Sequence, residues 1–384
     1  MATGRDLTTE QVLALRMASL LLTADLPRAA RVSDVADVVT WFGAMQSQDL
    51  GSGLWSLGAR LPGRTQSDIE AALEGRQALR TWPMRGTVHH VPPRDARWML
   101  DLMGSRALQG AARRRAYLGL SDEDADRAVD VLGSALAGGG RLTRAQCVEA
   151  LVVAGIPTAG QLAYHLLWYA SQRGVTCIAP NIGKEQTFVL LDEWAPEVYA
   201  ADRDEGLALI AHRYFRSHGP TTRQDFAGWT GLTAADAKRG IAGAGDQLAT
   251  VTVEGREMVL AADALDSTAA AGVAALAADE VRALPGFDEY LLGFKDRTLM
   301  IDPEHLQAII PGGNGVFQPT IVRSGRVVAT WKRSVGRASV VVEVKPLIRL
   351  AAADKARVER ALQPYGAFVQ RPVDVRWPVA DRRR

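Results

Sequence analysis

Residues 220–261 read PTTRQDFAGWTGLTAADAKRGIAGAGDQLATVTVEGREMVLA. A threonine in Pro220-Thr221-Thr222-Arg223-Gln224-Asp225 is placed to cap a helix through Phe226–Gly231, with a residue three or four positions on able to bond back. Thr233 does the same ahead of Ala234-Ala235-Asp236 and opens a second helix over Thr233–Ala242. Leu248–Val253 and Glu257–Ala261 then read as strands turned at Glu254-Gly255-Arg256. Helix, short turn, helix and two-stranded ribbon is the winged form of the helix-turn-helix.

The same order appears upstream. Arg141-Leu142-Thr143-Arg144-Ala145-Gln146 leads into an apolar helix, then Gln161–Arg173, then strands at Val175–Ala179 and Thr187–Leu191 around a looser turn, Pro180–Gln186. The N-terminal region fits as well, with helices at Thr9–Thr23, Val32–Met45 and Ser67–Glu74. Its hairpin is Ala78–Met84 with Thr87–Val91, turning at Arg85-Gly86. Past Asp263 an Ala-rich helix, Ser267–Val281, reads as a connector. Strands follow at Val316–Val322, Arg326–Lys332 and Ser339–Val344, then a helix at Ala352–Gln363 and a strand at Ala367–Trp377. The predicted fold class is α+β, with tandem winged-helix units over 1–119, 120–200 and 201–262. A connector and a basic, β-rich domain occupy 263–384.

The 384 residues carry a formal net charge of only +2, which on its face argues against a polyanionic partner. The sum hides a dipole. Residues 1–119 are net +4, residues 120–310 net −12 and residues 311–384 net +10. A phosphate backbone responds to charge within about 10 Å and not to the total. The bias toward arginine, 39 against 6 lysines, suits bidentate phosphate contacts, though a GC-rich genome would give it too. With hydrophobic residues at 47% and no run near a membrane span, the composition excludes a disordered tail, a disulfide scaffold and a membrane protein. Cys147 and Cys177 lack metal-ligand or CxxC spacing and read as small buried hydrophobes. A cytoplasmic location is expected.

No Walker loop, GxGxxG after a strand, HExxH or GxSxG is present, so any catalysis is expected to need neither metal nor cofactor. The unusual local element is Gln46-Ser47-Gln48-Asp49, after the apolar Val38–Met45. Residues two apart diverge on a helix and converge on an extended chain. Acting together therefore requires Gln46 and Gln48 to sit where the helix ends, and Gly51 and Gly53 suggest such an end. Two carboxamides can then grip one water; equally, two glutamines at a helix end can simply face solvent.

The Gln-x-Gln element, with Leu54-Trp55-Ser56-Leu57-Gly58-Ala59-Arg60-Leu61-Pro62 and Arg80-Thr81-Trp82-Pro83-Met84-Arg85-Gly86-Thr87-Val88-His89, resembles the AlkZ-type bacterial DNA glycosylases. These include azinomycin-resistance and interstrand-crosslink repair enzymes. Leu284–Leu291, Gly313–Phe317 and Gly325–Trp331 extend the resemblance to essentially the whole chain. It implies a C-shaped array of winged helices around duplex DNA, a β-hairpin aimed at the minor groove, and catalytic roles for Gln46 and Gln48. A sister branch has Asp for the second Gln, so Gln48 sets this chain on the AlkZ side. An N7-alkylated purine is cationic and leaves as a neutral base, so an amide that positions water suffices without strong acid or base.

Other expectations follow from the residues. All six lysines lie beyond residue 183, so no Schiff-base amine is near Gln46 in sequence and a monofunctional enzyme is expected. His89 and His90 alternate on a strand and cannot serve one site together. His165, His212, His218 and His305 read as core or surface residues. Candidate DNA contacts are Arg85, His89, the turn Arg323-Ser324-Gly325-Arg326, and Lys332-Arg333. Arg113-Arg114-Arg115 forms a second basic cluster, and Arg382–Arg384 reads as a frayed tail. The expected partner is double-stranded DNA carrying alkylated purines, bound by a monomer. The competing readings are a non-catalytic winged-helix regulator and a protein that sequesters free antibiotic.

Overall fold

The computed structural model describes residues 5–23, 32–265 and 280–378. The chain opens with β1 (Arg5–Asp6) and α1 (Thr9–Ser19), the helix started by a reciprocal capping box between Thr8 and Gln11. One order of elements then recurs three times. The first pass is α2 (Val35–Phe42), β2 (Met45–Gln46), α3 (Leu50–Gly58), α4 (Gln66–Glu74) and the hairpin β3 (Leu79–Met84)–β4 (Thr87–Val91). After it, α5 (Ala96–Met99) runs through a π turn at Leu100–Gly104 into α6 (Ser105–Leu118).

The second pass is α7 (Asp122–Leu136), β5 (Leu142–Thr143), α8 (Arg144–Val153), α9 (Leu162–Gln172) and the hairpin β6 (Thr176–Ile182)–β7 (Glu185–Leu190), closed by α10 (Leu191–Trp194). The third is α11 (Arg203–His218), a bridge at Thr221, α12 (Arg223–Thr230), α13 (Ala234–Ala244) and the hairpin β8 (Leu248–Val253)–β9 (Arg256–Ala261). In every pass the residues just before the helix pair bond to the second hairpin strand: β2 to β4, β5 to β7, Thr221 to Val259. The first two hairpins merge into one six-stranded sheet where Arg80 pairs with Ile178.

The C-terminal sheet is β10 (Val281–Leu284), β11 (Thr320–Arg323), β12 (Arg326–Val335), β13 (Val340–Pro346) and β14 (Val373–Arg376), backed by the helix Ala352–Phe368. The two ends of the chain share one core. Trp55 of α3 meets the rings of Tyr365 and Phe368 at 5.2 and 5.0 Å and donates to the Ala283 carbonyl at 3.1 Å. Beside it, buried Arg60 forks onto Asp288 at 2.8 and 3.0 Å, and Asp288 caps the short helix Glu289–Leu292.

Several elements differ from the sequence-based expectation. The helix expected over Val32–Met45 stops at Phe42, because Gly43 takes φ 81° and Met45–Gln46 pair with β4. Gly51 and Gly53 do not end a helix but lie inside α3, a helix that the sequence reading left out. Their role is close approach: a Cβ on Gly53 would stand 3.0 Å from the Ser47 Oγ, and one on Gly58 would stand 2.5 Å from the Phe368 ring. The helix expected over Thr9–Thr23 ends at Ser19, and the C-terminal helix runs on to Phe368, leaving only Val373–Arg376 as strand. The β6–β7 turn is tight, at Gly183 and Lys184, with the slack taken up as a bulge after Ala179. The connector expected at 267–281 and the arginines at 382–384 lie outside the described residues, apart from Glu280 and from Val281 at the head of β10.

Candidate active site

Gln46 sits on β2 opposite His89, and Met45 opposite His90. Paired residues of an antiparallel ladder share a face, so Gln46 and His89 look one way, His90 and Arg80 the other. Gln46 is 7% exposed. Its backbone N–H donates to Glu289 Oε1 at 2.9 Å, and its side-chain oxygen lies 3.4 Å from the Arg85 guanidinium, which donates to it. Two residues on, Gln48 is exposed and its side-chain oxygen accepts the Val88 N–H at 3.0 Å. β2 ends at Gln46 and the chain bends at Gln48, whose amide lies at Val88, the neighbour of the His89 that faces Gln46.

Ser47 is the fixed point between the two glutamines. Its N–H donates to the Val88 carbonyl at 2.8 Å, its hydroxyl accepts from Arg80 Nε at 2.9 Å, and Arg80 Nη2 donates to its carbonyl at 3.1 Å. His90 Nε2 stands 3.4 Å from the same hydroxyl. Immediately after, Asp49 caps α3 by accepting the Ser52 N–H at 2.8 Å.

Glu289 is the residue the sequence reading passed over. It lies within the Leu284–Leu291 stretch, is 1% exposed and sits beneath Gln46. Besides the Gln46 N–H it accepts Trp229 Nε1 at 2.9 Å and faces His218 Nε2 at 3.4 Å. Burial pushes its pKa up, but the His218 hydrogen bond and charge and the Gln46 N–H outweigh this and hold it down at about 2. His218, expected to be an ordinary core or surface histidine, is thus part of the support. The only sequence signal was a pair of adjacent acidic residues, Asp288 and Glu289, inside an otherwise apolar run, Leu284 to Leu292.

Arg85 occupies the β3–β4 turn with φ 54°, next to Gly86 at φ 69°. The residue is exposed overall, yet its guanidinium turns inward to donate to the Trp229 carbonyl and to reach His89 Nε2 at 3.3 Å as well as Gln46. His89 and His90 are both fully buried. Burial lowers each to a pKa of about 3, helped by Arg85 for His89 and by Arg80 for His90. No lysine is hydrogen-bonded to either glutamine among the described residues.

The other candidate contacts divide in two. The turn Arg323–Arg326 lies against α1: a Cβ on Gly325 would stand 2.6 Å from Leu13 Cβ, and Tyr290 donates to the Gly325 carbonyl. Arg323 pairs with Asp354 at 2.9 Å, while Arg326 is exposed. Lys332 is exposed on β12, and Arg333 reaches the N-terminus of α3, 3.9 Å from Asp49 Oδ1. The fold therefore brings Arg333 beside the Gln-x-Gln segment from nearly 300 residues away in sequence. Beyond it, residues 334–338 form an exposed hairpin tip. On α6, Arg115 is buried against Asp122 at 2.6 Å, whereas Arg113 and Arg114 are exposed.

Two amides on a helix-and-hairpin scaffold, with Arg333 from a separate basic sheet beside them, fit a protein that handles nucleic acid. A family model described as DNA glycosylase AlkZ-like matches residues 39–368, and the chain belongs to that family of DNA glycosylases. The chain is 28% identical over 320 residues to an interstrand DNA cross-link repair glycosylase of Streptomyces sahachiroi, covering 77% of this chain and 81% of the relative. The solved structure of Streptomyces sahachiroi DNA glycosylase AlkZ superposes with a TM-score of 0.78 at 25% identity, covering 97% of this chain and all of that one. Membership of a glycosylase family sets the enzyme above the non-catalytic regulator. Among the described residues no helix is long and apolar enough to cross a membrane.

Proposed function

We propose that the protein hydrolyses the N-glycosidic bond of bulky N7-alkylated purines in duplex DNA, interstrand crosslinks included. The carrying observation is the pair of uncharged amides, Gln46 buried and anchored from below, Gln48 exposed, two residues apart beside β4. The C1′–N9 bond breaks with its electron pair passing to the purine, which neutralises the cationic ring. A water held by the amide oxygens attacks C1′ and gives its proton to solvent. Neither amide titrates, so the pair serves a leaving group that is already activated and not an intact nucleoside. The crosslink repair named for the relative supports the bulky end of this range.

The three recurring passes are read as winged-helix units within 1–119, 120–200 and 201–262, set in a C-shaped array with the C-terminal domain, 263–384, so that they cup the duplex. Lys332 and Arg333, next to the exposed tip at 334–338, contact phosphates, as does Arg326. Arg323 does so by exchanging its Asp354 partner for phosphate. Arg85 releases Gln46 and turns to DNA, and His89, buried behind it, acts through Arg85. Among the described residues no lysine is hydrogen-bonded to either glutamine, which supports reading the product as an abasic site, made by a cytoplasmic monomer.

The test is incubation with duplexes carrying single N7-purine adducts of increasing size, followed by detection of abasic sites through alkaline strand cleavage. Release of the larger adducts, without cleavage before alkali, is expected. Release of none would overturn the reading.

A further inference from the structure

A cleft of about 720 Å³ lies between α6 and α9. Its α6 wall is made of small residues, Ala107, Gly110 and Ala111, and its α9 wall of rings, Tyr164, His165 and Trp168. A Cβ on Gly110 would meet no atom within 4 Å, so the space beside it is open. Small residues facing aromatic ones across a gap leave a slot, and a slot favours a flat group. Arg114 and Arg144 stand among the lining residues, and both are exposed. Arg114 donates to Gln161, and Arg144 lies 5.9 Å from the Tyr164 ring. Each is thus engaged with a different side chain of the α9 side of the cleft.

His165 carries the second observation. It is only 6% exposed, it lines the cleft, and its Nε2 has no hydrogen-bond partner. Its ring is otherwise placed by Trp168 at 5.4 Å and Tyr169 at 6.3 Å. Burial, then Arg115 and Arg114, lower its pKa and favour the neutral ring, and its Nε2, enclosed and unmatched at the edge of the cleft, is a polar atom left for a ligand to meet once the ring turns toward it. A buried polar atom left unmet is costly, and a ligand atom that meets it is correspondingly selected.

The position of the cleft identifies the source of the ligand. Gly86 lines it, and Gly86 follows Arg85, whose guanidinium reaches Gln46. The cleft and the catalytic glutamine therefore meet at one two-residue turn. We propose that this cleft is a subsite for a planar aromatic group that the lesion carries beyond the alkylated purine, with a polar atom of that group bonded to His165. This rests on the reading of the substrate as a bulky N7 adduct.

The test separates the two claims by using duplexes that cannot be cleaved. The full-length protein is titrated with 7-deazapurine duplexes bearing, at the 7 position, either a methyl group or an aromatic ring on a short linker. Wild type is expected to bind the aromatic duplex at least tenfold more tightly. Gly110→Leu fills the slot at an exposed helix position where leucine is the better helix former. It should abolish the preference and leave the methyl duplex unchanged. His165→Phe keeps the ring and removes the polar atom, and should reduce the preference severalfold. Equal binding of both duplexes by wild type, or an equal loss on both in Gly110→Leu, would overturn the proposal. So would a Gly110→Leu defect confined to a third duplex with an unpaired normal base, since the occupant would then be a displaced nucleobase. A protein that shows the Gly110-dependent preference but releases no N7 adduct would refute the catalytic reading and leave the cleft standing.

Discussion

The site is built on residues whose charge is settled before substrate arrives. Glu289 is ionised and buried beneath Gln46, with its oxygens taken by the Gln46 and Trp229 N–H groups and His218. Replacing it with Gln puts an amide donor among donors, and loss of a charged hydrogen bond at such a position costs about 1.5–3 kcal/mol. Glu289→Gln is therefore expected to slow single-turnover excision about tenfold or more, with DNA affinity unchanged; an unaltered rate would remove Glu289 from the positioning of Gln46. His89 and His90 bear on stability. Their pKa values of about 3 in the folded protein rise toward about 6.5 on unfolding. The unfolded chain then binds more protons between those limits, so stability is complete above about pH 6.5 and falls as pH drops toward 3. Each histidine accounts for up to about 2 kcal/mol between pH 6.5 and 5. Denaturant unfolding at those two pH values should show the loss, and His90→Gln should shrink it; a pH-independent stability contradicts the burial described.

At the scale of elements, what was legible in the sequence was the part governed by local rules. The Thr143, Thr222 and Thr233 caps, the Glu254-Gly255 turn and the Arg85-Gly86 turn form as their residues dictate, both turns having two successive positive φ values. Helix α3 was not legible, because Gly51, Gly53 and Gly58 depress helix propensity and make sense only through the close approach of Arg333, Ser47 and Phe368 respectively. Gly58→Ala tests this: on an exposed helix it would stabilise, but here its methyl meets the Phe368 ring. A loss of about 1–3 kcal/mol in equilibrium unfolding is expected, and a gain would show that the α3 packing is misassigned. The Gln-x-Gln element itself could be located from spacing, whereas its support could not. Glu289, His218, Trp229 and Arg333 arrive from four other elements by tertiary contact alone.

For the whole molecule, the net charge of +2 conceals a basic C-terminal stretch whose Arg333 lies beside Asp49 and the glutamine segment. Binding through phosphates should weaken steeply with salt, and each true contact removed should lower the slope of log K against log salt by roughly one unit. Lys332→Ala and Arg333→Ala are each expected to do so on undamaged duplex; slopes equal to wild type would place the DNA elsewhere. The near-neutral total remains consistent with an enzyme that must leave undamaged DNA readily. The central claim, that two neutral amides carry out the hydrolysis, is tested most directly by single-turnover excision of one bulky N7-adducted purine by wild type, Gln46→Ala and Gln48→Ala, with duplex affinity measured alongside. The account predicts that each substitution slows excision at least a hundredfold, about 2.7 kcal/mol of transition-state stabilisation, while affinity changes less than threefold. Excision by Gln46→Ala at the wild-type rate would contradict it.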